Sequence, residues 1–170
     1  MTKPASAPRW RLLRHHAAQR PSGFSLTELL IDIGIIAMLT AMAAPSFSSM
    51  IANHRGKAVA SELYSTLTKA RSMAIARNMD VAISPKQGAW ANGWQIVDPS
   101  NSAVVLDDRG ATSGVSIVGP ISLVYRPSGR ILDTSAVSFA ITSGSGSRSS
   151  YQCVSVDLSG RPYAVAAATC

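Results

Sequence analysis

The sequence predicts an α+β fold: one long N-terminal helix, membrane-spanning in its first half, with its outer half packed on an antiparallel β-sheet domain. Three observations lead there. A charge-free apolar run follows a basic segment. An apolar face at helical spacing continues beyond that run. After Asn78 the chain changes to short β-like runs divided by turn residues.

The basic segment comes first. The 170-residue chain holds 16 Lys+Arg against 9 Asp+Glu, a formal charge of +7. Residues 1–23 carry Lys3, Arg9, Arg11, Arg14 and Arg20 and no acid, so 16 − 5 leaves 11 basic against 9 acidic residues, or +2, from Phe24 onward. The high pI therefore describes the leader and is poor support for a nucleic-acid partner. Charged residues are 15% of the chain, a composition that suits a secreted β-rich domain better than a cytosolic enzyme.

An ordinary secretory signal places its apolar run before the cut. Here the basic segment ends at Pro21-Ser22-Gly23 and the apolar run follows, from Phe24 to Pro45. Removing the run would remove the anchor, so the cut is expected before it. No charged residue occurs from Ile33 to Asn53, and about 20 apolar residues cross a bilayer core. The arginines ahead of the run hold that end on the cytoplasmic side. The expected organisation is a leader over 1–23, the transmembrane half of the helix over 24–53, and an extracytoplasmic domain over 54–170 that includes the outer half of the helix.

Val59, Leu63, Leu67, Ala70 and Ala74 recur at spacings of three and four and define one helical face. Good helix formers fill the gaps through Arg77, and Asn78 is the expected stop. The helix runs from about Phe24 to Arg77, with a bend expected at Pro45. Strands are expected near Val81–Ser84, Trp94–Val97, Ala103–Leu106, Val115–Val118, Ser122–Tyr125, Val137–Ile141, Tyr151–Asp157 and Tyr163–Ala166. Turns divide them at Asp98-Pro99-Ser100-Asn101, Gly119-Pro120, Pro127-Ser128-Gly129 and Ser159-Gly160. Residues 143–150, rich in Ser and Gly, read as a mobile loop.

The two cysteines, Cys153 and Cys170, are too few for a cysteine metal site and form no CxxC pattern. In an oxidising compartment they make one disulfide closing a short C-terminal loop, worth about 3 kcal/mol on the chain-entropy estimate. In a cytosolic domain they would be two free thiols.

Gly23-Phe24-Ser25-Leu26-Thr27-Glu28-Leu29-Leu30 resembles the processing site of type IV prepilins and pseudopilins. It joins a basic leader, a glycine, a phenylalanine, a glutamate four residues later and an apolar run. Tyr125-Arg126-Pro127-Ser128-Gly129, Val154-Ser155-Val156-Asp157-Leu158-Ser159-Gly160-Arg161 and Gly93-Trp94-Gln95-Ile96-Val97 look like signatures of the GspH/FimT family of minor pilins. The first resemblance covers about residues 20–50 and the second about residues 78–165.

The resemblance implies a type IV pilin-like fold and a structural role. The chain would serve in the tip or priming complex of a type IV pilus, or in the pseudopilus of type II secretion. A prepilin peptidase would cut between Gly23 and Phe24 and methylate the new amino group of Phe24. The implied partners are that peptidase, other major and minor pilins and the inner membrane, with the C-terminal domain in the periplasm before assembly.

Glu28 is the candidate assembly residue. A charge at the bilayer centre costs roughly 2.5–3.5 kcal/mol even on the lenient insertion scale, so it calls for a partner. The family role supplies one: the positive amino terminus of a neighbouring subunit. The plainer alternative is an acid favoured by the helix dipole. Asp32 departs from the family pattern, which has an apolar residue there. It lies one turn beyond Glu28 on the same face, about 12 Å along the axis from Phe24. Two carboxylates so placed repel, so either one is protonated or a cation lies nearby.

DNA-binding members of the family carry Gly-Arg-x-Arg near the C-terminus. This chain reads Gly160-Arg161-Pro162-Tyr163, so the second arginine is missing. Arg161, Arg126, Arg130 and Arg148, with Tyr125, Tyr151 and Tyr163, are the candidate DNA-binding residues, against the alternative of scattered solvated arginines. No enzyme constellation emerges, and no metal or cofactor is called for. His54 is the one histidine after the leader, and no GxSxG, HExxH or phosphate-binding loop occurs. A Ser/Asp pair without histidine has no ordinary base. His54 and Arg55 mark where the helix leaves the lipid.

Overall fold

The structure is a computed structural model that describes residues 23–170, except the side chains of residues 43–46. The expected leader, residues 1–22 with its basic side chains, lies outside the described residues. The chain divides into two units after Leu39.

Helix α1 runs from Leu26 to Arg77, 52 residues. Its start is capped in the manner sequence rules favour: Ser25 Oγ accepts the Glu28 N–H at 3.1 Å. Its end is a left-handed cap at Asn78, where φ is 53°. The Met79 N–H reaches the Ala74 carbonyl at 3.2 Å, and the Asn78 N–H reaches that of Ile75 at 3.3 Å. Those two bonds satisfy carbonyls that the end of the helix would otherwise orphan, so the stop expected at Asn78 stands.

In the first unit the apolar side chains face outward. Leu26, Ile33, Ile35 and Ile36 are all more than half exposed. Among the described residues no single helix is long and apolar enough to cross a membrane, but Leu26–Met42 and Phe47–Arg77 pass together by length and composition. The division falls at residues 43–46, where the bend was expected at Pro45; the side chains there lie outside the described residues.

In the second unit the expected apolar face is the buried one. Val59, Leu63, Leu67, Ala70 and Ala74 are all buried, with Ala52 and Ala60 extending the stripe. Full burial of each leucine contributes about 1.5–3 kcal/mol. Small residues bring this face close to the strands: a Cβ at Gly56 would meet Ser143 Oγ at 2.8 Å.

Eight strands follow: β1 (Val81–Pro85), β2 (Trp94–Asp98), β3 (Asn101–Asp108), β4 (Val115–Val118), β5 (Leu123–Tyr125), β6 (Val137–Ser143), β7 (Ser150–Val156) and β8 (Pro162–Val165). Each lies within two residues of its expected place. They form two four-stranded sheets, with orders β3-β2-β1-β5 and β4-β6-β7-β8, and every pairing is antiparallel. The antiparallel layer was expected; its division in two was not. The chain crosses between the sheets three times, after β3, β4 and β5; the crossing from β4 to β5 runs through Gly119-Pro120, where proline offers no N–H to a ladder and the Pro120 carbonyl accepts the Trp90 indole N–H at 2.7 Å. The core draws on both sheets and the helix, with Trp94, Tyr125 and Phe139 its largest fully buried side chains.

The Ser/Gly stretch is more ordered than its composition suggests. Ser143 ends β6 and donates to the Ala52 carbonyl at 2.6 Å, residues Gly146–Arg148 make a 3₁₀ turn, and Ser150 begins β7. Hydroxyls that would be solvated in a linker bond the helix instead.

Candidate functional site

The helix start presents Phe24 at 78% exposure, with Glu28 also exposed. The Ser25 cap uses the backbone N–H of Glu28, and its carboxylate has no ion-pair partner among the described residues. Asp32 is exposed as well. The residues expected to be processed and to guide assembly therefore lie at a helix start that is capped locally and whose carboxylates and apolar side chains are exposed.

At the far end of the helix, two turns of the same design meet. In the first, the Gly129 N–H donates to the Arg126 carbonyl at 2.8 Å and the Arg126 N–H to the Arg130 carbonyl at 2.8 Å. In the second, the Gly160 N–H donates to the Asp157 carbonyl at 2.8 Å and the Asp157 N–H to the Arg161 carbonyl at 3.2 Å. Both contain Ser-Gly-Arg, and Gly129 and Gly160 both have positive φ, 76° and 79°. This is a type I turn closed by a glycine bulge. One turn follows β5 of the first sheet, and the other joins β7 to β8 of the second.

The turns pack so tightly that a Cβ on Gly160 would run into the Gly129 carbonyl oxygen. Arg71 of α1 ties them together: its Nε donates to the Gly129 carbonyl at 2.9 Å and its guanidinium NH₂ to the Ser159 carbonyl at 3.2 Å. Asp157 stiffens its own turn by accepting from Ser159 Oγ at 2.5 Å and from the Arg161 N–H at 3.0 Å. These bonds, that from Ser159 first, lower its carboxyl pKa. The folded state thus favours ionised Asp157. Its contribution is present above the ordinary carboxylate pKa and is lost as pH falls through the lowered folded value. Burial raises the pKa of Tyr125, whose hydroxyl is enclosed without a hydrogen-bond partner among the described residues.

The candidate DNA residues do not form one patch. Arg126, Arg130 and Arg161 are exposed on the paired turns. Arg148 instead lines a recess with Ser49, Met50 and Asn53. Asn53 lies 18 residues before Arg71, so about 27 Å of helix separates the two places. Tyr125 is fully buried and cannot stack on a base, whereas Tyr151 and Tyr163 are 42% and 48% exposed. Among the described residues, no group of three or more His, Cys, Asp or Glu is placed to hold a metal.

Cys153 and Cys170 are bonded, with Cα atoms 5.5 Å apart. The bond returns the C-terminal tail to β7, an interior strand of its sheet. Opening it by reduction is expected to cost about 3 kcal/mol, read as a lower midpoint of chemical unfolding with reductant than without. An unchanged midpoint would show that β8 holds the tail unaided.

Sequence reasoning missed Arg71 and Gly56. Arg71 follows buried Ala70 and lies four residues after Leu67, so it flanks the apolar stripe. That position was a readable signal for a side chain reaching over the sheets. Gly56 lies four residues from both Ala52 and Ala60, a run of small residues that marks close backbone approach.

A helix that is apolar and exposed at its start, then covers antiparallel sheets through its outer half, defines a pilin-like subunit. The family profile described as Type II transport protein GspH matches residues 59–160, and the chain belongs to that family: it is a minor pilin or pseudopilin subunit. Two crystal structures of the type IV minor pilin FimU from Pseudomonas aeruginosa (strain PAO1) are similar in fold. The form in space group P21 has a TM-score of 0.57 at 19% identity, covering 65% of this chain and 87% of that one. The form in P65 has 0.55 at 20% identity, covering 64% and 91%. No curated protein sequence matches the chain.

Proposed function

We propose that the chain is a structural subunit in the tip or priming complex of a type IV pilus. A prepilin peptidase cuts it between Gly23 and Phe24 and methylates the Phe24 amino group. It then waits in the inner membrane, with its sheet domain in the periplasm, until other pilins take it up. One observation carries this reading: a capped helix whose large apolar side chains, from Leu26 to Met50, are exposed, with a carboxylate that has no ion-pair partner among the described residues four residues from the expected new amino terminus. A helix apolar all round requires lipid or a bundle of like helices, and alternation between those two settings is what such a subunit does.

Mass spectrometry of membrane-extracted protein tests the processing step. The expected species begins at N-methylated Phe24; a chain still carrying Met1 in cells with active peptidase would refute it.

The second reading places the same subunit in a type II secretion pseudopilus, favoured by the match to the profile of that name. Deleting the gene and scoring piliation, secretion and transformation in parallel separates the two. Loss of secretion with intact pili would select the pseudopilus. Loss of transformation with intact pili would bring back DNA capture through Arg126, Arg130 and Arg161.

A further inference from the structure

Two adjoining recesses lie where the apolar part of the helix gives way to the sheet domain. One has a volume of about 530 Å³ and the other about 320 Å³, and Asn53 and Ser150 line both. Arg148 lines the first and Lys57 the second. Both cations are exposed, neither has an ion-pair partner among the described residues, and no acid lines either recess. On the side toward the apolar run, Phe47 and Met50 are 66% and 55% exposed. On the other side Tyr151 is 42% exposed.

The groove therefore has an apolar approach, two free cations and an aromatic rim. A phosphate diester suits the cations, because a guanidinium binds it through paired hydrogen bonds and an ammonium adds a compact charge. Free phosphate would satisfy the cations but would gain nothing from Phe47 and Met50. A phospholipid uses both features, since its acyl chains can lie along the apolar turn while its headgroup meets Arg148 and Lys57. The position agrees: no charged residue occurs from Ile33 to Asn53, and His54, Arg55 and Lys57 follow at once. Tyrosine is favoured at that depth, with its ring toward the acyl region and its hydroxyl in water.

We propose that this groove binds the headgroup of an anionic phospholipid in the leaflet where the helix emerges, an inference that rests on the membrane-anchored reading above. Bound lipid would hold the sheet domain at the membrane surface until assembly. Each basic residue near a membrane surface strengthens binding about fivefold, so replacing both should weaken it about 25-fold.

The test uses the full chain in zwitterionic detergent, with phosphatidylglycerol, phosphatidylcholine and inorganic phosphate as probes, and bound molecules counted by native mass spectrometry. Phosphatidylglycerol should be retained over phosphatidylcholine. Combined Lys57→Ala and Arg148→Ala should remove the preference, while Arg126→Ala with Arg130→Ala should leave it. Equal retention of the two lipids, or a preference that survives loss of both cations, would overturn the proposal. So would inorganic phosphate binding as tightly as phosphatidylglycerol, which would make the groove a free-anion site. Alkaline extraction of vesicles keeps the two readings apart. A chain that washes out fails the anchored reading, whereas a chain that stays but shows no lipid preference fails the groove alone.

Discussion

Gly160→Ala is expected to destabilise the sheet domain by about 4 kcal/mol. Two costs combine. A non-glycine residue at the φ of 79° that Gly160 adopts is strained by about 1–3 kcal/mol. Its Cβ would also overlap the Gly129 carbonyl oxygen, a backbone atom that Arg71 holds in place, and overpacking of that kind adds about 1–3 kcal/mol. Neither turn can retreat, because each closes on its own backbone bonds and Arg71 bridges them from the helix. A domain of ordinary stability, about 5–15 kcal/mol, would be left marginal. Gly146→Ala is the control: Gly146 also has positive φ, 58°, but an added Cβ there meets nothing within 4 Å, so it should cost only about 1 kcal/mol. Chemical unfolding of the two variants beside the parent gives the comparison. Equal midpoints for Gly160→Ala and Gly146→Ala would mean that the turn contact carries no energy.

That contact also shows what the sequence could and could not tell. The two strand-turn segments around Gly129 and Gly160 were legible as family signatures, and the turn residues as turns, because Ser-Gly after a strand has a local reading. Their meeting was not legible. It joins a residue that follows β5 to one that follows β7, and it depends on two sheets whose separation no local pattern announces. The helix face was readable as far as Ala74 because burial repeats with the helical period, and Asn78 because it tolerates left-handed backbone. The strands were readable from alternation: β4 buries Val115 and Ile117 and exposes Ser116 and Val118.

The arginines divided along the same line. Arg126, Arg130 and Arg161 come together because both turns place an arginine after glycine or at the turn start. Arg148, on a Ser/Gly segment that composition alone made a loop, is held against the helix near Asn53 through Ser143 and Ser150. The disulfide was legible from the cysteine count and the oxidising compartment that the sequence led one to expect.

Glu28→Val should leave the subunit folded, inserted and cut after Gly23, yet absent from the filament. Glu28 is exposed, and its backbone N–H donates to the Ser25 cap, a bond that valine retains. Valine also removes the cost of a carboxylate in lipid, so membrane insertion should hold or improve. On the proposed reading, assembly changes the balance by bringing the amino terminus of a neighbour into a low-dielectric setting. At 4 Å and a protein-like dielectric, opposite charges attract by about 4 kcal/mol. Losing even about 1.4 kcal/mol of that attraction lowers incorporation about tenfold, so a drop of at least about tenfold is expected in sheared filaments or priming complexes, with the membrane pool unchanged. Asp32→Val separates the two carboxylates: it should assemble normally if Glu28 alone meets the amino terminus. If Glu28→Val assembled like the parent while Asp32→Val failed, the contact would belong to the second carboxylate, one turn further along the same face. Normal assembly of the double variant would show that neither charge guides entry into the filament, and that apolar packing of the Leu26–Met50 surface is sufficient.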